Sequence, residues 1–185
     1  VRYSDGPVVQ CEIRVEAPVE RVWELVADIG LPARLSPELQ RVEWVGGADR
    51  PALGARFEGY NRHPVGGEWR TLSQVVELEA GRVLGWAVMD VDGLFGEATE
   101  DPAHRLAAWR FEVEPEDGGT RLRQSVQIGP GRSGVSPWID RMPEREEQVV
   151  ATRLKELRAG IEATLGGIKA LAEEGRAEEG GADRA

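Results

Sequence analysis

The sequence predicts an α+β fold in which seven antiparallel strands form one sheet and a long C-terminal helix lies across it. Three observations carry this reading. From Glu144 to about Glu174, the apolar residues Val150, Leu154, Leu157, Ile161, Leu165, Ile168 and Ala172 recur at spacings of 4, 3, 4, 4, 3 and 4. That is one continuous stripe on a helix of period 3.6, spanning roughly 45 Å at 1.5 Å per residue. Most of the chain before it alternates apolar and polar residues with period two, and turn residues separate the alternating runs. A long amphipathic helix needs an apolar surface to cover, and here only a sheet can supply one.

Val8 to Glu16 alternates, with Val9, Cys11, Ile13 and Val15 on one face, as in a half-buried strand. Ala17-Pro18 ends it, and Pro18 suits the first turn of a helix. Val19, Val22, Trp23, Val26 and Ala27 carry that helix to Asp28, where Gly30 and Pro32 stop it. A second short helix or turn follows over Pro32 to Glu38. Six strands come next: Leu39 to Val45, Ala55 to Arg62, Glu68 to Leu78, Val83 to Val88, Leu106 to Glu114 and Thr120 to Ile128. Gly46-Gly47, Ala80-Gly81, Asp92-Gly93 and Gly118-Gly119 are among the turn signals between them. A connector from Gly129 to Pro143 leads into the long helix. Residues 1–174 are read as one domain, and 175–185 as an acidic tail expected to be disordered.

Composition narrows the function. The net charge of -10 argues against nucleic acid, which needs clustered Lys and Arg, and against anionic membrane surfaces. A single cysteine allows no internal disulfide and favours a reducing compartment. No apolar run approaches the ~18 residues of a membrane span. The first residues lack the basic-then-apolar pattern of a signal peptide, so a cytoplasmic location is expected. There is no nucleophile elbow, P-loop or dinucleotide fingerprint. No Cys or His spacing resembles a zinc site, and Asp90 and Asp92 beside Gly93 read as a turn. No metal or cofactor is expected.

Consecutive hairpins alternate direction, so loops after every second strand gather at one end of the sheet. One end receives Arg62 to Gly67, Met89 to His104 and Gly129 to Met142. This set is the longer one and carries Leu94, Phe95, Val135 and Trp138, which suits either a lid or a cover for the end of the core. Both histidines, His63 and His104, fall there.

The segments Ile13-Arg14-Val15-Glu16-Ala17-Pro18 and Val22-Trp23-Glu24-Leu25-Val26-Ala27-Asp28 form a strand, Ala-Pro, helix opening. Ser36-Pro37-Glu38, Gly54-Ala55-Arg56-Phe57, Tyr60-Asn61-Arg62 before Trp69, and Trp109-Arg110-Phe111-Glu112-Val113-Glu114-Pro115 closing into Gly118-Gly119-Thr120 continue the pattern. Together they resemble the START-like, or SRPBCC, helix-grip superfamily, and within it the polyketide cyclase/dehydrase-like branch of actinobacterial type. The resemblance covers about Val9 to Glu174. It implies a curved sheet wrapped around the long helix with a cavity between them.

Alternation assigns the inner face. Phe57, Gly59 and Asn61 share it, as do Trp69, Thr71, Ser73 and Val75; Leu84, Trp86 and Val88; Ala107, Trp109, Phe111 and Val113; and Leu122, Gln124, Val126 and Ile128. Four polar side chains on that face, Asn61, Thr71, Ser73 and Gln124, need partners, because an unpaired buried polar group costs about 1–3 kcal/mol. Either they bond each other, the backbone or water, or they stud a ligand pocket. With the cavity the resemblance implies, the expected site is Asn61, Trp69, Thr71, Ser73, Trp86, Trp109 and Gln124, with Phe95 from the loop end. The expected occupant is a small apolar or aromatic molecule, lipid- or polyketide-like. The resemblance also admits a cyclase or aromatase using the same cavity, or a stress- or chaperone-associated interaction module with a filled one. Tyr60 and Arg70, candidates for acid–base work, alternate to the outer face. Gly160, Gly166 and Gly167 interrupt the long helix, each costing about 0.8–1 kcal/mol relative to Ala, as close packing, empty space or a frayed last turn would require.

Overall fold

A computed structural model describes residues 1–179, with side chains through residue 174. Seven strands form one antiparallel, curved sheet: β1 Val8–Val15, β2 Leu39–Val45, β3 Arg56–His63, β4 Gly67–Glu79, β5 Val83–Met89, β6 Ala107–Glu116 and β7 Gly119–Ile128. Their spatial order is β1-β7-β6-β5-β4-β3-β2, so every neighbouring pair except β1–β7 is a hairpin. Helices α1 Val19–Ala27 and α2 Leu31–Leu35 carry the chain from one edge strand to the other. Pro18 caps α1 from just outside it rather than sitting in its first turn, and Val22 and Val26 bury its inner stripe.

The long helix α4 spans Glu146–Glu179, entered through a 3-10 turn at Pro143–Arg145. Val150, Ile161, Leu165, Ile168 and Ala172 of its stripe are buried. The helix runs five residues past the predicted end at Glu174; the rest of the expected disordered tail, residues 180–185, lies outside the described residues. The connector before α4 contains a helix that the sequence pattern does not predict, α3 Ser136–Arg141.

The placement of α4 shapes the interior. It packs closest on β1 and β7, with α1 and α2 against its other flank. It stands away from β3 to β6, whose inner faces look at it across open space. Pairing irregularities between Leu39 and Arg41 and between Val75 and Glu77 bend the far half of the sheet. The apolar core therefore concentrates where sheet and helix touch: Val9, Val15, Val113 and Leu122 from the sheet, Ile161, Leu165 and Ile168 from α4, Val22 and Leu31 from the short helices.

The three helix glycines have different surroundings. A Cβ at Gly160 meets nothing within 4 Å, and this glycine faces the open space under the helix. Gly166 is exposed and equally unobstructed. Gly167 admits Leu35, whose Cδ2 lies 2.5 Å from where a Cβ would sit. Of the readings the sequence left open, close packing holds for Gly167 and empty space for Gly160. A frayed end does not hold for Gly166, because the helix continues to Glu179.

Candidate functional site

Between α4 and the middle strands lies an open-mouthed cavity of about 790 Å³. That is within the usual size of a small-molecule site, roughly 300–1,000 Å³. Its floor is aromatic. Trp86 and Trp109, directly paired across β5 and β6, stack with centroids 6.4 Å apart and planes 12° apart. Phe57 and Phe111 flank Trp86 at 6.2 and 5.9 Å. Trp69 meets Phe95 edge-on at 6.3 Å. Trp69, Trp86 and Trp109 are only half-buried although they lie on the concave face of the sheet, because each has surface turned to the cavity.

Polar groups stud this floor. Asn61, Thr71, Ser73 and Gln124 all line the cavity, as does Thr164 from α4. Thr71 Oγ1 donates to the Gly59 carbonyl at 3.5 Å. Gln124 is 3% exposed, and its Oε1 has no hydrogen-bond partner. Its immediate neighbours on the inner face are apolar: Leu122 and Val126 along β7 and Phe111 paired beside it on β6. All eight residues picked out from alternation and loop position border this one space.

The mouth is built at the end of the sheet where the long loops gather. Asp90, 5% exposed, accepts hydrogen bonds from the Leu94 and Phe95 amides at 2.9 and 2.7 Å, folding that loop so that Phe95 turns toward Trp69. Arg132 Nε donates to the Phe95 carbonyl at 2.6 Å, tying the connector to the same loop. Val65, Leu94 and Trp138, at 71, 54 and 39% exposure, come from three separate segments and all border the cavity. Val135, from the same connector as Trp138, is buried and also borders the cavity.

Charged side chains at the α4 edge of the cavity form a chain of pairs. Arg153 donates to both Glu38 oxygens at 2.8 Å and to Glu156 at 3.2 Å. Burial works against its charge, but the paired carboxylates more than offset this, and the guanidinium stays firmly protonated. His63 Nε2 lies 3.6 Å from Glu156, and its Nδ1 accepts from the Val65 and Gly66 amides, pinning the β3–β4 hairpin tip. His104 is exposed beside Asp101, so the two histidines share no partner.

The model for a family described as "Polyketide cyclase / dehydrase and lipid transport" matches residues 7–173. The chain belongs to this family. Among solved structures, the polyketide-cyclase-like protein Cgl2372 of Corynebacterium glutamicum is 27% identical, with TM-score 0.60 over 90% of this chain and 91% of its own. TTHA0849 of Thermus thermophilus is 19% identical, with TM-score 0.64 over 91% and 99%. The ZhuI aromatase/cyclase of Streptomyces sp. R1128 is 18% identical, with TM-score 0.58 over 88% and 93%. The last two share the fold with this chain at identities that speak to fold alone. None of the curated proteins matches the sequence.

Tyr60 and Arg70, the acid–base candidates of the sheet, do not border the cavity. Tyr60 donates to Glu58, and Arg70 pairs with Glu58 and Asp92, all on the convex side. Arg70 hydrogen bonds hold the Asp92 carboxyl below its ordinary range. Cys11 is half-buried between β1 and α4, outside the main cavity. Arg158 Nη1 is 3.4 Å from its sulfur, and burial pushes the thiol up despite that charge. Among the described residues no group of three or more His, Cys, Asp or Glu could hold a metal ion, and no helix is long and apolar enough to cross a membrane. The Arg153–Glu38–Glu156 chain and the role of Asp90 were missed by sequence reasoning. The partners Arg153 and Glu38 stand 115 residues apart, and no local pattern announces them.

Proposed function

We propose that the protein binds a small apolar or aromatic molecule, lipid- or polyketide-like, in the cavity between sheet and α4, in a reducing compartment such as the cytoplasm. The observation that carries this reading is the partnerless Gln124 Oε1 set in a tryptophan-walled space of about 790 Å³. Asn61, Trp69, Thr71, Ser73, Trp86, Trp109, Gln124 and Phe95 are the proposed contacts. Burial of an aromatic body against the tryptophans supplies the affinity, and the Gln124 acceptor selects a ligand that carries a donor. An interaction module with a filled interior fits less well, since the interior is open.

A cyclase or aromatase acting in the same cavity is the second reading. It is favoured by the family's description and by the likeness to an aromatase/cyclase. In that case Asn61 and Gln124 position a flexible polyketone, with catalysis resting mainly on proximity. Binding comes first because Tyr60 and Arg70 point away.

Titration with N-phenyl-1-naphthylamine, whose emission rises in apolar surroundings, tests the first reading. Wild type should bind one equivalent saturably. Gly160→Phe should fold normally, since Phe is the better helix former, and should lose binding because its ring enters the space that Gly160 leaves open. No binding to wild type, or equal binding to both proteins, would overturn the proposal.

A further inference from the structure

Resting on that reading, we infer that the ligand is an acid: an apolar or aromatic body held inside, with a carboxylate or similar small anionic group held at the mouth by Arg141 and Arg145. The charged residues lining the cavity are three arginines and two glutamates, with His63, a surplus of positive charge on a chain whose net charge is -10. Both glutamates are committed, since Glu38 and Glu156 each bond Arg153, and Glu156 also faces His63. The surplus therefore resides on Arg141 and Arg145. Among the described residues neither has a carboxylate within ion-pairing distance. Arg141 instead lies over the Trp138 ring at 5.6 Å, at the exposed apolar rim.

The interior cannot take the anion. Among the described residues the one guanidinium bordering it besides Arg141 and Arg145 is Arg153, already paired with Glu38 and Glu156, so a carboxylate pushed down to the tryptophans would be buried without a free counter-charge, which is strongly unfavourable. The geometry thus sorts an amphiphile end for end. The ring system or chain goes down onto Trp86 and Trp109, a hydroxyl can reach Gln124 Oε1, and the acid stays at the rim between Arg141, Arg145 and the Trp138 edge.

Two probes with one ring skeleton test this: 8-anilinonaphthalene-1-sulfonate, which is anionic, and N-phenyl-1-naphthylamine, which lacks the sulfonate. Wild type, Arg145→Gln and Arg141→Gln/Arg145→Gln are titrated with each at low and at high salt, with circular dichroism confirming the fold. The double variant should bind the sulfonate probe roughly five- to tenfold more weakly, the single variant part of that, and the neutral probe within twofold of wild type. Salt should weaken only the sulfonate probe, most in wild type, less in the single variant and not in the double variant. Unchanged sulfonate binding in the double variant, or equal loss of both probes, overturns the acid-end inference while leaving the container intact. If neither probe binds wild type, the container reading fails, and this inference falls with it.

Discussion

Replacing Gln124 by leucine keeps the side-chain volume close to constant and removes the one buried side-chain acceptor of the cavity wall that has no protein partner. Two effects follow, with opposite signs. A buried, unpaired polar atom costs about 1–3 kcal/mol, and water in an open cavity returns part of that cost. The empty variant should therefore be more stable by up to about 1 kcal/mol, which for a domain of this size raises Tm by about 2–4 °C. A neutral hydrogen bond from a ligand hydroxyl to Oε1 is worth about 0.5–1.5 kcal/mol, and the variant cannot make it. The assay uses 2-naphthol and 2-methylnaphthalene, which differ by a hydroxyl in place of a methyl, followed by quenching of tryptophan emission. The preference of wild type for the naphthol should fall by roughly three- to tenfold in Gln124→Leu, while methylnaphthalene binds as before or slightly better. Equal weakening of both ligands would mean that Gln124 shapes the wall without recognising polar groups. A lower Tm would mean that its amide has a structural partner, and the argument from the free acceptor would fail.

The helix glycines and the Glu112 carboxylate on β6 give further expectations. Gly166→Ala should stabilise by about 0.8–1 kcal/mol, whereas Gly167→Ala should forfeit that gain or lose stability as its methyl displaces Leu35; equal thermal shifts would refute the close packing at Gly167. Hydrogen bonds from Arg110 and then Arg123 hold the Glu112 carboxyl below its ordinary range. Its contribution is therefore complete above the unfolded value of about 4.3 and lost as pH falls through the lower folded value. Urea midpoints between pH 6 and pH 3 should drop less for Glu112→Gln than for wild type, and parallel curves would contradict the pairing.

The strands and their faces were legible because each has one buried side, so apolar alternation in Phe57–Asn61 or Leu122–Ile128 reports orientation directly. The stripe on α4 was legible for the same reason. The mouth was not. Helix α3 is short and begins Ser136-Pro137-Trp138, a run with no periodicity to read. Asp90 resembles any turn aspartate until its two amide donors, Leu94 and Phe95, are seen. In the sequence Arg153 is one of several charges along a long helix, and only the approach of Glu38 from just before β2 reveals it as part of the cavity wall. Sequence patterns report burial; the pairing of charges across distant segments depends on the tertiary path.

The central claim, that a small molecule occupies the space between sheet and α4, is tested most directly by the tryptophan indole N–H resonances of ¹⁵N-labelled protein titrated with N-phenyl-1-naphthylamine. Of the six tryptophans, Trp69, Trp86, Trp109 and Trp138 border the cavity, whereas Trp23 does not. The account predicts saturable shifts of the Trp69, Trp86 and Trp109 signals, with Trp138 following at the rim and Trp23 unmoved. Stationary signals from Trp69, Trp86 and Trp109 under saturating probe, or shifts confined to Trp23, would contradict it.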